Sequence, residues 1–552
     1  MYQKLLNKSN NLRSSFENIP TCIRRFEGAY GDHTFDRIGF NIVPFNSGAM
    51  EHATNIAYPL YAISNGGKTN ETLFAHELAH HWWGNTITCR TQEDMWLNEG
   101  WASYSGRLFL EAVYGKARYN EDIEDNHRDV LQFAHIRDGD VLPVSGIGHA
   151  NTYGSHVYNK GADMVHTLRG MMGDEDFFEA CASFQSEFKF KDVSTNDMKT
   201  HFQQFTPLNL SGFFDQWVKE KGFAHFDILW VLKTDDTYQV RIKQTPRFNE
   251  VTYRNVVATV TAFSKDFERF DSQIIIMNDE QNFDVACPFE PVSWFFDFDD
   301  KISDAVTTDM VIVKPGGVKV DMPQSLMSDI WVNNPTDDSV MLRIEHNWAP
   351  ADGTYGKPAG AVLSKERYWN VGGIWGDDVN VTAEIVYSGL QSNSLIFGYL
   401  DKELIRITED SLVLLYRPNA SSAWAEATDY IKNSGSLLDK RGIIEVSNLK
   451  KGQYTLAMYD AGLASVKEVS RSDYGFKLFP NPAQDELTIE LQSKVMGTTE
   501  ITNLEGKVVY SMDWKGNEWK QKLDISHLPA GTYFVGIISE NLAYNAKRFV
   551  VE

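Results

Sequence analysis

The sequence has no CxxC pair, no dense run of lysine and arginine, and no apolar stretch approaching the ~18 residues of a membrane-spanning helix. Each absence excludes a class. Four cysteines (Cys22, Cys89, Cys181 and Cys287) are scattered over 552 residues; they make neither a zinc ribbon nor a disulfide-dense scaffold and read as buried free thiols. With 52 Lys+Arg against 75 Asp+Glu the formal charge is −23, a field that repels phosphate backbones, so nucleic acid is not an expected partner. No transmembrane segment is expected. The opening "MYQKLLNKSNNLRSSFENIP" lacks an apolar signal core and reads as an amphipathic helix with Leu5, Leu6, Leu12 and Phe16 on its buried face.

Enough is present to build several cores: 42% of the residues are hydrophobic and 13% aromatic. A chain of this length exceeds one core and suggests roughly three or four domains. As far as Gly222 the apolar residues recur three and four apart, as in "GADMVHTLRGMMGDEDFFEACASFQSEF", the pattern of amphipathic helices. "LNLSGFFDQWVKEKGF" closes this region, with Gly222 as a helix stop. Beyond Phe223 the period changes to two. "FDILWVLKTDDTYQVRIKQ" reads as two strands about an Asp-Asp turn, and "NVVATVTAF", "VNVTAEIVY", "DSLVLLYR" and "GQYTLAMYD" continue the pattern. The expected division is a helical domain over 1–222, a β-sandwich over 223–310, a second β-rich domain over 311–463, a linker in "ASVKEVSRSD", and a small β-sandwich over 472–552. The acidic stretch "FDFDDKISD" near Asp300 reads as a solvated loop.

One stretch carries chemistry. In "HELAHHWWG", beginning at His76, two histidines stand four apart, and on a helix of 3.6 residues per turn they lie nearly above one another. His76 and His80 can therefore aim ring nitrogens at one ion. Glu77 is rotated by roughly 100° from His76, beside the metal position rather than on it, where a base belongs. His81 lies outside this pattern. An isolated match of this kind is usually a solvated helix face, but this one has company. Eighteen residues separate His80 from Glu99, which opens a second amphipathic pattern, "EGWASYSGRLFLEAVYG". A carboxylate there completes a His₂Glu set with a fourth position open, as catalytic zinc requires. Trp82, Trp83, Trp96, Leu97 and Trp101 are expected to pack the two helices together.

"HELAHHWWGN" and "WLNEGWA", with their separation, closely resemble the zinc helices of the aminopeptidase N family of zinc metallopeptidases. "GAMEH", at Gly48 to His52, falls where that family has its GxMEN substrate motif, and "VYNKGADMVHTL", from Val157, is similar to its tyrosine-bearing helix start. The resemblance implies a multidomain chain: a mainly α, thermolysin-like zinc peptidase domain followed by β-sandwich domains. It implies one Zn²⁺ bound by His76, His80 and Glu99, with Glu77 as general base and Tyr158 donating to the oxyanion. Glu51 would capture the free α-amine of a peptide substrate, and the backbone of Gly48, Ala49 and Met50 would line the cleft as a strand edge. Two features depart from the family. His52 replaces the asparagine, and the family's large N-terminal β domain is absent upstream, so the chain reads as the C-terminal portion of a longer enzyme or as a truncated reading frame.

The last region, "FKLFPNPAQDELTIEL", "NLEGKVV", "LPAGTY" and "KRF", reads as a small β-sandwich with Pro480 and Pro482 at the start of its first strand and turns at Gly506 and Gly531. It resembles the C-terminal sorting domain of type IX secretion cargo. That implies export across the outer membrane by the type IX secretion machinery, to the extracellular space or the cell surface. The function expected is a secreted metallo-aminopeptidase. An HExxH endopeptidase is the second reading, and a non-catalytic surface binding protein with a truncated peptidase domain is the third.

Overall fold

The computed structural model describes residues 9–64, 67–392, 397–433, 439–459, 476–491, 497–503, 507–514, 519–538 and 543–552. Leu5 and Leu6, the expected linker and Gly506 lie outside them. The chain divides into two compact units, Met1–Met458 and Tyr459–Glu552.

In the first unit every helix of the described residues lies between Ser9 and Val218. The expected opening helix is short, Ser9–Ser15, and Phe16 just beyond it packs on Phe40 and Tyr58 with ring centroids 4.8 and 5.4 Å away. The helix Glu71–Ala79 carries the HExxH stretch and Glu99–Tyr114 the distant glutamate. Gly161–Met172 and Asp174–Glu187 are separated by Gly173 at φ 81°, a left-handed position that suits glycine. The expected stop at Gly222 comes late: the last helical turn ends at Val218, and Gly222 (φ 83°) sits against the Arg247 carbonyl instead.

After Val218 the regular elements among the described residues are all strands. Phe226–Lys233 and Tyr238–Gln244 pair antiparallel about the Asp-Asp turn, with Glu280–Val285 beyond them. A second three-stranded sheet orders Ser293–Phe296, Val256–Phe263 and Arg269–Ile276. Their apolar faces join the helices in one core that runs in sequence from Cys22 to Ile302. A six-stranded and a five-stranded sheet then enclose a separate core from Val313 to Leu456. Val306–Val313 is already part of the six-stranded sheet, pairing with Val340–Asn347 ahead of the expected boundary at 311.

The second unit holds a three-stranded and a four-stranded sheet around Leu487, Ile489, Ile501, Leu523, Val535 and Phe549. Its first strand, Phe476–Phe479, precedes Pro480 and Pro482, which join it to Glu486–Leu491. Gly531 opens the strand Gly531–Ile538.

A multidomain, strand-rich chain is what the alternating patterns predict. A mainly α description does not hold, because strand makes up 36% and helix 26% of the structure. The reason is length: more than half of the chain follows Val218, where the regular elements among the described residues are strands. The "FDFDDKISD" reading is also corrected. Asp297 and Asp304 are each 5% exposed, Asp297 Oδ2 accepts from the Ile302 amide at 2.9 Å, and burial pushes the Asp297 carboxyl up to about 7. All four cysteines are free. No helix among the described residues is long and apolar enough to cross a membrane.

Candidate metal centre

The helix Glu71–Ala79 ends at His80, whose backbone N–H still bonds the His76 carbonyl. Both histidines are therefore one turn apart on the last helical face, as the spacing predicts. Glu99 is the first residue of the next long helix and reaches the same point. His76 Nε2 and His80 Nε2 are 3.1 Å apart, and Glu99 Oε2 lies 3.3 Å from the first and 3.2 Å from the second. Among the described residues this is the one group of three or more His, Cys, Asp or Glu side chains that could hold a metal ion.

The protonation pattern tests whether a cation fits. His80 Nδ1 lies 2.9 Å from the Trp83 carbonyl, so this nitrogen carries the donated proton and the neutral ring presents its Nε2 lone pair. His76 Nδ1 has the Ser103 hydroxyl at 3.4 Å. Two ring nitrogens and a carboxylate oxygen thus converge on one point, and with both rings neutral and Nε2 unprotonated they form a set of acceptors that a divalent cation satisfies. Burial alone would push the Glu99 carboxyl up, but His80 and His76 override it and hold it well below the usual range. Burial likewise pushes His76 down.

Glu77 is 4% exposed, and its Oε2 has no hydrogen-bond partner. Burial, reinforced by the negative charges of Glu51 and Glu99, pushes its pKa up to about 7, with His80 opposing. A carboxylate held in this way accepts a proton readily at neutral pH. Tyr158 stacks beside His76, ring centroids 6.0 Å apart and planes 15° off parallel. Burial and the neighbouring Glu99 charge keep its phenol protonated far above the ordinary range, so its O–H remains available as a donor. Glu51 is half-buried, and its charge bears on His76, Glu77, His80 and Tyr158 alike. Gly48 and Ala49 are not in a strand, and Gly48 sits at φ 63°. The pairing falls one residue later, where Met50 exchanges both backbone hydrogen bonds with Ala57 at 3.0 and 2.9 Å.

Of the tryptophans expected to pack the two helices together, Trp83 and Trp101 do so, while Trp82 and Trp96 reach other elements. Trp83 and Trp101 stack with centroids 3.9 Å apart, Trp82 donates to the Gly31 carbonyl at 2.9 Å, and Trp96 donates to Thr195 Oγ at 2.8 Å. His81 turns away from the cluster, its Nδ1 2.8 Å from His33 Nε2. Sequence reasoning missed the groups behind the ligands. Ser103 was within reach of it, four residues after Glu99 on one helix; the Trp83 carbonyl and Asp138, which holds the turn before Tyr158, left no signal.

Residues 11–217 match the peptidase family M1 domain, and residues 477–552 match the secretion system C-terminal sorting domain. The chain therefore carries a peptidase domain of that family and a C-terminal sorting domain, which bears out both resemblances. Among curated proteins it is similar to aminopeptidase Ey of Gallus gallus, 29% identical over 40% of this chain and 24% of that protein. It is similar also to aminopeptidase N of Oryctolagus cuniculus, 29% identical over 34% and 22%. The chain thus spans about a quarter of the length of these relatives. Among solved structures, an M1 zinc metallopeptidase from Deinococcus radiodurans is 24% identical, covering 37% of this chain and 44% of that chain with a TM-score of 0.33.

Proposed function

We propose that this chain is a secreted zinc aminopeptidase that removes residues from the N-termini of peptides. The observation that carries the reading is the convergence of His76, His80 and Glu99 on one point, with the unpartnered Glu77 carboxylate buried beside it. Zinc held by these three residues would supply Lewis acidity and lower the pKa of a water to about 7. Glu77 takes a proton from the attacking water and returns it to the leaving amine. Tyr158 donates its phenolic hydrogen to the oxyanion that develops on the carbonyl. Glu51 pairs with the substrate's α-ammonium, an anion that an internal peptide cannot satisfy. Gly48, Ala49 and Met50 form the backbone wall beside the first substrate residues.

The M1 domain match and the aminopeptidase names of the relatives support this reading. We assign catalysis to residues 1–222, β-sandwiches to 223–305 and 306–463, the second beginning with the strand Val306–Val313, and sorting to 472–552. The sorting-domain match supports export by the type IX machinery to the extracellular space or the cell surface.

The test is hydrolysis of aminoacyl-p-nitroanilides and their N-acetylated counterparts, with and without a chelator, beside Glu51→Gln. Chelator-sensitive release from the free amines alone is expected, with the largest loss for Glu51→Gln in KM. Equal release from blocked and free substrates would establish an endopeptidase instead. Metal-loaded protein that releases nothing from either would leave a binding protein.

A further inference from the structure

Tyr158 sits in a widened helical turn, His156–Lys160, where the Gly161 N–H reaches back to the His156 carbonyl. Such turns are costly to isolate and need support from outside the helix. One short segment provides it. Asp138 Oδ1 accepts from the Ser155 amide at 2.9 Å, and Oδ2 accepts from the His156 amide at 2.8 Å and from His156 Nδ1 at 2.6 Å. The other imidazole nitrogen, Nε2, accepts from the Leu142 amide at 3.2 Å, which places the ring proton on Nδ1. On the far side of the tyrosine, Lys160 Nζ donates to the carbonyls of Leu142 and Gly222 at 3.4 and 2.9 Å.

The segment 138–142 therefore grips residues 155, 156 and 160, on both sides of Tyr158. The grip is dry: the His156 side chain is fully buried and that of Asp138 is 5% exposed. It is also close, since a Cβ at Gly154 would lie 2.7 Å from the Asp138 carboxylate. A carboxylate accepting three hydrogen bonds at the start of a turn fixes both its position and its rotation.

We propose that Asp138, through His156 and the Ser155 amide, is the positioning residue that sets the Tyr158 phenol against the metal centre. The inference rests on the reading of Tyr158 as the oxyanion donor. A displacement of about 1 Å at a catalytic group costs on the order of a hundredfold in rate, and that is the loss expected in kcat for Asp138→Ala, with KM within about twofold and bound metal unchanged. Asp138→Asn, which keeps an acceptor for one amide, should lose less and serves if the alanine variant does not fold.

The experiment is a double-mutant cycle with Tyr158→Phe. If Asp138 acts through the phenol, its replacement costs nothing further in the Tyr158→Phe background. An equal loss in both backgrounds overturns the proposal and leaves the M1 reading standing. Full activity of Tyr158→Phe alone overturns the donor role, and the proposal with it. A second readout needs no turnover: fluorine NMR of protein carrying 3-fluorotyrosine, with the Tyr158 resonance assigned by its absence in Tyr158→Phe. One narrow line that broadens or splits in Asp138→Ala is expected. A line unchanged by that substitution overturns the proposal even if the chain hydrolyses nothing.

Discussion

Gly100 and Gly161 meet backbone to backbone: a Cβ built on either would lie 3.0 Å from the Cα of the other. Gly100 follows the ligand Glu99, and Gly161 comes three residues after Tyr158. Their contact lets the two helices approach closely enough for the carboxylate and the phenol to share one site. Helical Gly→Ala ordinarily stabilises by ~0.5–1 kcal/mol. Here Gly100→Ala is expected to do the opposite, costing about 1–3 kcal/mol through forced separation of the backbones, with a fall in kcat. Urea unfolding and steady-state kinetics of the same protein check both, and a stabilised, fully active variant would show that the contact is slack.

Glu77→Gln keeps the shape of the side chain and removes its basicity. Hydrolysis should fall by roughly 10²–10⁴-fold, while metal content by elemental analysis stays at the wild-type value, because Glu77 is not among the converging atoms. Loss of metal together with activity would mean that Glu77 is a ligand.

His80→Ala and Glu99→Ala should each abolish tight metal binding, since each removes one of three converging donors. Zinc at a hundredfold excess over Kd stabilises a native protein by about 2.7 kcal/mol. Adding zinc should therefore raise the Tm of the chelator-treated wild type and leave both variants unmoved. Equal shifts in all three would place the ion elsewhere.

Acid should unfold the first unit partly through His166. Its imidazole is 7% exposed, with Tyr119 Oη 2.7 Å from Nδ1 and the Asp300 carbonyl 2.8 Å from Nε2, so that both ring nitrogens are partnered without an anion in contact. Burial lowers its pKa from 6.5 to about 4. Between these values the unfolded chain binds more protons than the folded one. The contribution is therefore complete above about pH 6.5 and lost as pH falls toward about 4. It amounts to about 3 kcal/mol at most. In His166→Gln the fall in urea midpoint between about pH 7 and about pH 4.5 should be smaller than in the wild type; equal falls would assign the acid sensitivity to other groups.

What could be read without the structure was local. The four-residue spacing of His76 and His80, with Glu77 a third of a turn away, follows from helix geometry that any helix of this sequence must obey. The period-two patterns beyond Phe223 likewise predicted strands, because alternation is a property of a single strand and its two faces. Burial of Asp297 and Asp304 in "FDFDDKISD" was not legible, since it depends on which elements cover the loop. The widened turn that presents Tyr158 was equally hidden, as nothing in its own residues announces the carboxylate at Asp138 that holds it.

The sequence by itself determined the kind of atoms available for a metal and a base, because those stand within one helical turn of each other. Only the tertiary structure decided that Glu99 closes on the two histidines, that the Trp83 carbonyl turns the His80 lone pair inward, and that Tyr158 stacks beside His76. The physical reason is that these distances are set between elements by packing, through contacts such as the one between Gly100 and Gly161, and packing has no period that a linear pattern can carry.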